Sequence, residues 1–282
     1  MESRSDIASL ADVHLLAELT ALVSRAAAAI AALDASSVVA RQKPDSSPVT
    51  VADEAAQDVI LAGLSSLLPG TPVVSEEAVG PVGAIAPGAT FILVDPLDGT
   101  REYLAGRSEY TVNVAVIIAG RPAIGVIAAP AKGLIWRGIV GRGSERLRLP
   151  PGAAPDEAPE IAVIHARRRS LHGFVATVSR SHIDARTEAF LARVPVIERI
   201  ACGSAIKFCR IAEGYADLYP RLAPTMEWDI AAGDAILAAA GGTVTTPDGA
   251  PLVYGRSDVG FKVPAFVAWG DPAAARRVLQ KS

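Results

Sequence analysis

Cysteine is scarce in this chain, which contains two cysteines among its 282 residues. Cys202 and Cys209 are seven positions apart around a predicted helix, which does not suit the short Cα separation that a disulfide requires. We therefore expect two reduced, buried thiols. The sequence also contains no cluster of cysteine and histidine with the spacing of a zinc site.

The chain also has no excess of positive charge. Its 27 lysines and arginines face 30 aspartates and glutamates, which gives a formal net charge of −3. This balance provides no electrostatic basis for binding a nucleic acid polymer or an anionic membrane.

Long hydrophobic runs are missing near the N-terminus. Met1–Asp6 does not combine a basic segment with an apolar core, so it does not predict a secretory signal. The most apolar early stretch, Ala26–Leu33, lies between Arg25 and Asp34 and is shorter than the ~20 residues of a spanning helix. We expect a cytoplasmic protein with no stable membrane insertion.

The most informative motif that is present follows an apolar run. Phe91–Val94 leads directly into the segment Asp95-Pro96-Leu97-Asp98-Gly99-Thr100. Pro96 removes a hydrogen-bond donor and is expected to stop the strand. Gly99 permits a close turn, so that the amides of Gly99 and Thr100 can face an anion. The motif thus predicts two carboxylates and an anion-binding turn at the end of a buried strand.

Asp95 and Asp98 are candidate ligands for a hard cation, above all Mg²⁺, which takes oxygen ligands and shares them with substrate phosphates. The alternative is an Asp-Gly turn in a hairpin that carries two solvated acids. A second strand, Pro72–Ser75, also ends in acids, at Glu76 and Glu77. This pair could equally be a solvated strand end.

Two further segments carry acids at element ends. The polar loop Lys43–Asp53 leads into a predicted helix, and Glu227-Trp228-Asp229 opens the alanine-rich helical run Ile230–Ala240. Acids at the ends of several elements can converge on one site. The alternatives are local: Thr50 with Asp53 can form a variant capping box, and Asp229 can be a helix N-cap.

These motifs together resemble the inositol monophosphatase superfamily of Mg²⁺-dependent, lithium-sensitive phosphatases. That family is marked by an upstream Asp, a Glu-Glu pair, Asp-Pro-Leu/Ile-Asp-Gly-Thr and a later Trp-Asp, and all four occur here in order. The resemblance covers nearly the whole chain. Within the superfamily the chain is similar to the 3′(2′),5′-bisphosphate nucleotidase branch, on the basis of three segments: Ser179–His182, Gly203–Cys209 and Ala212–Arg221.

The resemblance implies a metal site of two or three Mg²⁺ ions, with Asp95 bridging two of them. The implied ligands are Glu76, Asp95, the Leu97 carbonyl, Asp98 and Asp229. It also implies that Thr100, oriented by Asp53, positions the attacking water or accepts its proton, so that Asp53, Thr100 and Glu76 form the catalytic set. Glu77 would support the ligands from outside. Clustered carboxylates repel one another unless cations neutralise them.

The expected substrate-binding residues are Gly99, Thr100, His182, Ser204, Lys207, Arg221 and Asp229. Lys207 falls in the first turn of a helix that Gly203-Ser204 is predicted to start and Gly214 to stop, where a cation opposes the helix dipole. A bound phosphate would resolve that conflict. Lys207 and Arg221 are thus candidates for the non-reacting phosphate of a nucleoside bisphosphate, and His182 for the nucleotide. The alternatives are a solvated lysine and an ordinary loop histidine.

The chain departs from the branch pattern at three positions. Ala128 stands where an aromatic residue is common, Ala205 replaces a common second serine, and Asp234 occupies a position where histidine is frequent. The basic triplet Arg167–Arg169 predicts a surface loop first and a phosphate-contacting segment second. These departures concern substrate specificity, because the metal motif itself is intact.

Periodicity and turn residues predict the fold. Two helices are expected, from about Leu10 to Leu33 and from about Ala52 to Leu68, followed by strands at about 72–75, 90–95, Thr111–Ile118 and Ala123–Ala129. The last two form a hairpin. The stretch Gly141–Pro159 is rich in Gly, Pro and charge and predicts a boundary between an N-terminal α+β lobe (1–155) and a C-terminal α/β lobe (156–282).

In the second lobe, strands near 161–164, 174–178, 196–200 and 215–219 are expected to alternate with helices near 184–193, 204–213 and 229–240. This alternation favours a mostly parallel sheet. The resemblance implies the same result in more detail, a layered α/β/α/β/α sandwich with the active site between an antiparallel-sheet lobe and a mostly parallel α/β lobe.

The predicted function is a Mg²⁺-dependent phosphomonoesterase that removes the 3′-phosphate of adenosine 3′,5′-bisphosphate and also accepts phosphoadenylyl sulfate, as in sulfur assimilation. Two alternatives remain open. An inositol monophosphatase or other sugar-phosphate phosphatase would share the metal ligands and differ on the substrate side. A nucleotide sensor without turnover would keep the fold but not need the intact acids. The expected form is a monomer or a homodimer with a small-molecule substrate.

Overall fold

The computed structural model describes residues 11–35, 38–42, 48–79, 82–83, 87–168, 172–180 and 183–279. Parts of the sequence predictions fall outside these ranges. They concern Met1–Asp6, Leu10 at the start of the first expected helix, the part 43–47 of the polar loop, Arg169, and Ser181 and His182 of the segment Ser179–His182.

Seven helices are present in the described ranges: α1 (Val13–Ala31), α2 (Val51–Leu67), α3 (Thr100–Leu104), α4 (Ala185–Arg193), α5 (Ile206–Ala212), α6 (Glu227–Ala239) and α7 (Pro272–Leu279). The first nine strands are β1 (Arg41–Gln42), β2 (Pro48–Val49), β3 (Val73–Ser75), β4 (Thr90–Asp98), β5 (Thr111–Ile118), β6 (Arg121–Ala129), β7 (Leu134–Ile139), β8 (Gly143–Arg148) and β9 (Glu160–Ile164). The remaining strands are β10 (Phe174–Ser179), β11 (Val196–Cys202), β12 (Leu218–Arg221), β13 (Thr225–Met226), β14 (Thr243–Thr245), β15 (Lys262–Val263) and β16 (Phe266–Trp269).

A seven-stranded sheet forms the first half of the protein, in the order β3-β4-β5-β6-β7-β8-β9. Only β3 and β4 are parallel, and all later neighbours are antiparallel. Successive side chains of β4 point to opposite faces. Ile92 and Val94 therefore pack in one hydrophobic core with α1 and α2, whereas Phe91 and Leu93 pack in a second core on the other face.

Helix α1 is long and apolar enough to cross a membrane by length and composition, with a mean hydropathy of 1.5. The helix overlaps the run Ala26–Leu33, which on its own is too short to span a membrane. In the folded chain the apolar side of α1, including Leu19, Val23 and Ile30, is fully buried in the core that it shares with α2 and the sheet. Asp12 caps its first turn by accepting a hydrogen bond from the Leu15 amide at 2.7 Å. The apolar face of α1 is thus accounted for by this core.

Helices α5 and α6 form the central layer between two sheets. Their side chains share one core with residues of both sheets, among them Trp136 of β7 and Phe266 of β16. Helix α6 lies directly against β6 because Gly125 has no side chain: a Cβ there would lie 2.3 Å from the Ala232 carbonyl oxygen. This close contact fixes the helix that carries Asp229 against the large sheet.

The second sheet has five strands in the order β11-β10-β12-β16-β14 and is covered on its outer side by α4 and α7. Strands β10, β11 and β12 are parallel, but β16 runs antiparallel to both β12 and β14. Two expectations need correction. The strand predicted near 161–164 pairs with β8 at the edge of the large sheet, and the one predicted at 215–219 lies at Leu218–Arg221.

The layers therefore follow one another as helices, seven-stranded sheet, helices, five-stranded sheet and helices. This order confirms the predicted α/β/α/β/α sandwich, in which an antiparallel sheet and a partly parallel sheet enclose a helical layer. Both long N-terminal helices and the 111–129 hairpin lie where the sequence predicted them. The division into lobes between residues 155 and 156 stays a prediction. Strand β9 follows that boundary in the chain but belongs to the seven-stranded sheet of the first half.

Candidate active site

Strand β4 does not stop at Pro96 as expected but continues to Asp98 through a bulge. Asp95 faces Asn113 and Asp98 faces Thr111 on β5, so the β4 strand has one extra residue between these two pairs. Asp95 is 1% exposed, and its Oδ1 accepts a hydrogen bond from the Leu97 amide at 3.1 Å. The alternative of two solvated acids in a hairpin turn is therefore wrong.

Gly99 makes the sharp turn that follows. Its φ of +93° lies in the left-handed region, which a side chain disfavours. Thr100 begins α3 immediately afterwards, and its hydroxyl lies 3.2 Å from Asp53 Oδ1 and 3.2 Å from the Leu97 carbonyl oxygen. The turn thus presents Thr100 to Asp53 and to the carbonyl that was predicted to bind metal.

Asp53 has two roles in the structure. Its Oδ2 accepts hydrogen bonds from the Thr50 amide at 2.8 Å and the Thr50 hydroxyl at 2.7 Å, which completes the capping box of α2. Its Oδ1 faces Thr100. Asp53 is 2% exposed, and burial raises the pKa of its carboxyl. The capping interpretation and the functional one are therefore both compatible with the same geometry.

Three acids from three different elements converge beside the end of β4. Each of Glu76, Asp95 and Asp229 offers one oxygen, and these oxygens all lie within 4.8 Å of one another. Glu76 follows β3, and its amide donates to the Val94 carbonyl at 3.2 Å, which places it next to Asp95. This group has the oxygen-only donor set that a hard divalent cation prefers.

Asp229 lies in the first turn of α6. Its Oδ2 accepts hydrogen bonds from the Met226 amide at 3.1 Å and from the Thr225 hydroxyl. The N-cap residue of the helix is Met226, so the alternative that Asp229 is the N-cap is wrong. Asp229 is the third residue of the helix, and its carboxylate accepts from the N-cap amide. The Thr225 and Met226 donors orient the carboxylate toward the cluster.

The electrostatics of the cluster favour a bound cation. Burial raises the pKa of Asp95 well above its usual value, and the neighbouring carboxylates of Glu76 and Asp98 raise it further. Burial and then Asp229 raise the pKa of Asp98 to about 6, although Lys207 lowers it. Buried acids this close hold their charge at neutral pH only when positive charge compensates them. The cluster is therefore suited to a metal ion.

A cleft of about 150 Å³ opens beside this cluster. Six residues of the predicted site line it: Asp98, Gly99, Ser204, Lys207, Arg221 and Asp229. The lining also includes residues that the sequence analysis did not assign to the substrate, namely Arg101, Glu102, Gly203 and Tyr219. The metal cluster and the predicted phosphate-binding residues are thus adjacent.

Lys207 is only 4% exposed, so the alternative of a solvated lysine is wrong. It lies in the first turn of α5, as predicted, but the ammonium group turns back toward the preceding loop. Nζ donates to the Ser204 carbonyl at 2.7 Å and to the Cys202 carbonyl at 3.5 Å, and it lies 5.1 Å from the Tyr219 ring centroid. Backbone carbonyls and an aromatic ring hold this cation at the cleft.

Several residues of the site were not found from the sequence. Thr111 and Asn113 of β5 face Asp98, with donor distances of 3.5 Å and 3.4 Å. Their alternation on the strand that pairs with β4 is the signal that could have revealed them. No comparable local signal marks Thr225, which donates to Asp229, or Tyr219, whose ring lies against the Lys207 ammonium. Tertiary packing brings both residues to the site.

Other candidates are explained by local structure. Arg167 forms a bidentate ion pair with Asp217, with both donor distances at 2.8 Å, so the first residue of the basic triplet has a structural partner. The Tyr254 hydroxyl donates to Asp234 at 2.8 Å, and burial raises the pKa of that carboxyl to about 7. Cys202 and Cys209 are buried and free, which confirms the expected reduced thiols.

Comparisons with known proteins agree with this geometry. A model of the inositol monophosphatase family matches residues 10–275. The 3′(2′),5′-bisphosphate nucleotidase CysQ of Escherichia coli K12 is 40% identical over 215 residues, which is 75% of this chain and 81% of that protein.

Solved structures show the same relationship. CysQ from Bacteroides thetaiotaomicron superposes with a TM-score of 0.74 and 34% identity, over 90% of this chain and 95% of that one. An inositol monophosphatase from Anabaena shares the fold, with a TM-score of 0.72 and 22% identity over 95% and 96% of the two chains. The chain belongs to the inositol monophosphatase family and, within it, to the branch of the CysQ proteins.

Proposed function

We propose that the protein is a Mg²⁺-dependent phosphomonoesterase that hydrolyses the 3′-phosphate of adenosine 3′,5′-bisphosphate to give AMP and phosphate. The observation that carries this proposal is the position of the acidic group Glu76, Asp95 and Asp229 beside a cleft that also contains Lys207 and Arg221. Relatives at 40% identity are bisphosphate nucleotidases by name. A substrate with two phosphates matches a site with a metal cluster at one end and cations at the other.

Two or three Mg²⁺ ions fit the donor set. Glu76, Asp95 and Asp229 supply carboxylate oxygens, and Asp98 and the Leu97 carbonyl extend the set along the same turn. The raised pKa of Asp95, caused by burial and neighbouring acids, is the electrostatic signature of carboxylates arranged for a cation. Such ions lower the pKa of a bound water and stabilise the leaving oxygen of an in-line displacement.

The protein's own residues position the attacking water. Thr100 lies at the start of α3 with its hydroxyl near the Asp53 carboxylate, which can accept the hydroxyl proton. As Asp53 takes the hydroxyl proton, Thr100 can take a proton from the water, so that one proton moves in net from the water to Asp53. Burial of Asp53 raises the pKa of its carboxyl, which makes it a better proton acceptor than a solvated aspartate.

The non-reacting phosphate is assigned to Lys207 and Arg221. Lys207 is held at the cleft by the Ser204 and Cys202 carbonyls, and Arg221 Nη2 donates to the Pro224 carbonyl at 3.4 Å. Neither contact neutralises the positive charge. Both cations are therefore pre-positioned for a phosphate. Ser204 and Gly99 complete this side of the cleft.

We propose that the same site accepts phosphoadenylyl sulfate, which carries the same 3′-phosphate, and that the enzyme acts in sulfur assimilation in the cytoplasm. We expect a monomer or a homodimer. The substrate assignment rests on the 3′(2′),5′-bisphosphate nucleotidases that the chain resembles.

The proposal is tested by phosphate release from three substrates, adenosine 3′,5′-bisphosphate, inositol 1-phosphate and fructose 1,6-bisphosphate, each with and without Mg²⁺. We expect the highest kcat/KM for the nucleotide and no turnover after chelation. A preference for inositol phosphate would leave only a general metal-dependent phosphatase. Nucleotide binding without any phosphate release would instead indicate a sensor.

A further inference from the structure

The segment between α3 and β5 contains Glu109, which no part of the proposed chemistry uses. Its side chain is 18% exposed and forms an ion pair with Arg180. Glu109 Oε2 accepts hydrogen bonds from the Gly203 amide at 3.1 Å and from Arg180 Nε at 2.8 Å, and Oε1 accepts from Arg180 Nη2 at 2.9 Å. Arg180 Nη2 also donates to the Ala201 carbonyl at 2.8 Å.

The backbone of Glu109 is equally constrained. Its carbonyl oxygen would lie 2.7 Å from a Cβ on Gly203 and 3.2 Å from a Cβ on Gly99. Two glycines therefore allow the metal-binding turn, the Glu109 segment and the loop before α5 to meet. A Cβ on Gly99 would also lie 3.4 Å from Ser204 Cβ, so these backbones are in direct contact.

The loop that Glu109 contacts is strained. Ser204 has a φ of +44°, a left-handed conformation that costs a non-glycine residue about 1 kcal/mol or more and persists only where surrounding contacts enforce it. The contacts on either side are the Glu109 bond to the Gly203 amide and a 3.2 Å hydrogen bond between the Thr111 and Ser204 hydroxyls. The Ser204 carbonyl in turn accepts from Lys207 Nζ.

We propose that Glu109 is a positioning residue that sets the substrate-phosphate cation Lys207 through Gly203 and Ser204, and thereby fixes its distance from the metal cluster. This inference rests on the proposed function, because it assigns Lys207 to the second phosphate. Arg180 keeps Glu109 in place by a bidentate ion pair, which is more directional than a single contact. Although burial alone would raise it, the Arg180 guanidinium holds the pKa of Glu109 below its usual value, so the acceptor stays charged at neutral pH.

The alternative is that Glu109 acts only as a negative charge near the phosphate site. The two models predict opposite signs. Removing the charge would strengthen binding of an anionic substrate by simple electrostatics, and KM would fall. Releasing the Gly203 loop would instead misplace Lys207, and KM for a bisphosphate would rise.

The test compares Glu109→Ala with Glu145→Ala. The control removes an acid of another arginine ion pair, on β7 and β8 of the large sheet, where Glu145 Oε2 accepts from Arg137 Nε at 3.0 Å and from Nη2 at 2.8 Å. For Glu109→Ala we expect KM for adenosine 3′,5′-bisphosphate to rise about tenfold, the worth of one charge-assisted hydrogen bond, with kcat changed less than about threefold. KM for adenosine 3′-monophosphate, which lacks the second phosphate, should change less than about twofold.

A second measurement does not depend on turnover. Hydrogen exchange of the peptide that contains Gly203 should be faster in Glu109→Ala than in wild type, and unchanged in the Glu145→Ala control. Glu109→Gln keeps a carbonyl oxygen for the Gly203 amide. Its KM for the bisphosphate and its exchange rate at Gly203 should therefore lie between those of wild type and Glu109→Ala. This variant also replaces Glu109→Ala in the test if the alanine variant does not fold.

The outcomes are distinct. A KM for the bisphosphate that stays constant or falls in Glu109→Ala, or an unchanged exchange rate at Gly203, overturns the positioning role. If the wild-type protein releases phosphate from neither nucleotide, the proposed function fails instead. The exchange result then still decides whether Glu109 holds the Gly203 loop.

Discussion

Replacement of Lys207 by methionine tests the substrate assignment most directly. Methionine retains an unbranched apolar stem beside Tyr219 but removes the ammonium that lies 2.7 Å from the Ser204 carbonyl. If Lys207 binds the non-reacting phosphate, the variant loses one charge-assisted hydrogen bond, worth about 1.5–3 kcal/mol. That energy corresponds to a loss of about 10- to 150-fold in kcat/KM for adenosine 3′,5′-bisphosphate.

The size of this effect depends on burial. Lys207 is 4% exposed, so water screens its interaction with a phosphate far less than it would for a surface lysine. The variant also leaves the Ser204 carbonyl without its partner, which lowers stability whether or not a phosphate binds there. The measurement therefore has to be a ratio between two substrates in the same variant, because a general loss of stability affects both equally.

The assay compares kcat/KM for adenosine 3′,5′-bisphosphate with that for adenosine 3′-monophosphate, in wild type, Lys207→Met, Arg221→Met and Lys262→Met. Lys262 is an exposed lysine of β15 and serves as the control. We expect the wild-type preference for the bisphosphate to collapse in the first two variants and to survive in the third. If the ratio survives in Lys207→Met and Arg221→Met, neither residue binds the second phosphate and the assignment is refuted.

Three further predictions concern the metal site, the catalytic pair and a buried acid. Asp95→Asn should lower Mg²⁺-dependent turnover by a factor on the order of 10³ because a central carboxylate is lost, and near-normal turnover in the variant would refute the metal assignment. Millimolar Li⁺ should inhibit the wild-type enzyme. Thr100→Val and Asp53→Asn should lower kcat much more than they raise KM. A pure capping role of Asp53 predicts instead about 1 kcal/mol of lost stability and a normal kcat. Thermal melts together with steady-state kinetics distinguish the two roles. Asp234 has a folded-state pKa raised by burial to about 7, so its contribution to stability is present below the unfolded pKa near 4 and is lost as pH rises through 7. Asp234→Asn can still accept a hydrogen bond from Tyr254. Its free energy of unfolding in urea should therefore exceed that of the wild type by about 2 kcal/mol at pH 8 and by little at pH 4.5. An equal difference at both pH values would contradict the raised pKa.

Much of the fold could be predicted because its signals are local. Helices α1 and α2 and the hairpin of β5 and β6 have the periodicity of an element with one buried face, and the structure places them within a few residues of the prediction. Strand β9 was assigned to the wrong sheet. Its continuous apolar run 161–164 is the same whichever neighbour it pairs with, and only its pairing with β8 decides the sheet.

The site could be predicted as a set of residues but not as an arrangement. The motif at 95–100 predicted a turn at the end of β4, yet the bulge that carries the strand through Pro96 depends on the register with β5. Lys207 was placed in the right helical turn, but its contacts with the Ser204 carbonyl and the Tyr219 ring come from tertiary packing. The Glu109 contact with Gly203 joins residues 94 positions apart and has no local signal.

By itself the sequence determined which acids end which elements, in what order, and which faces of the helices and strands are apolar. These properties depend on neighbours a few positions away and can be recognised without a fold. The tertiary structure decided that the oxygens of Glu76, Asp95 and Asp229, from three separate elements, lie within 4.8 Å of one another beside Lys207. That convergence depends on how two sheets and a helical layer bury their apolar faces against one another, and such packing is settled only when the whole chain is folded.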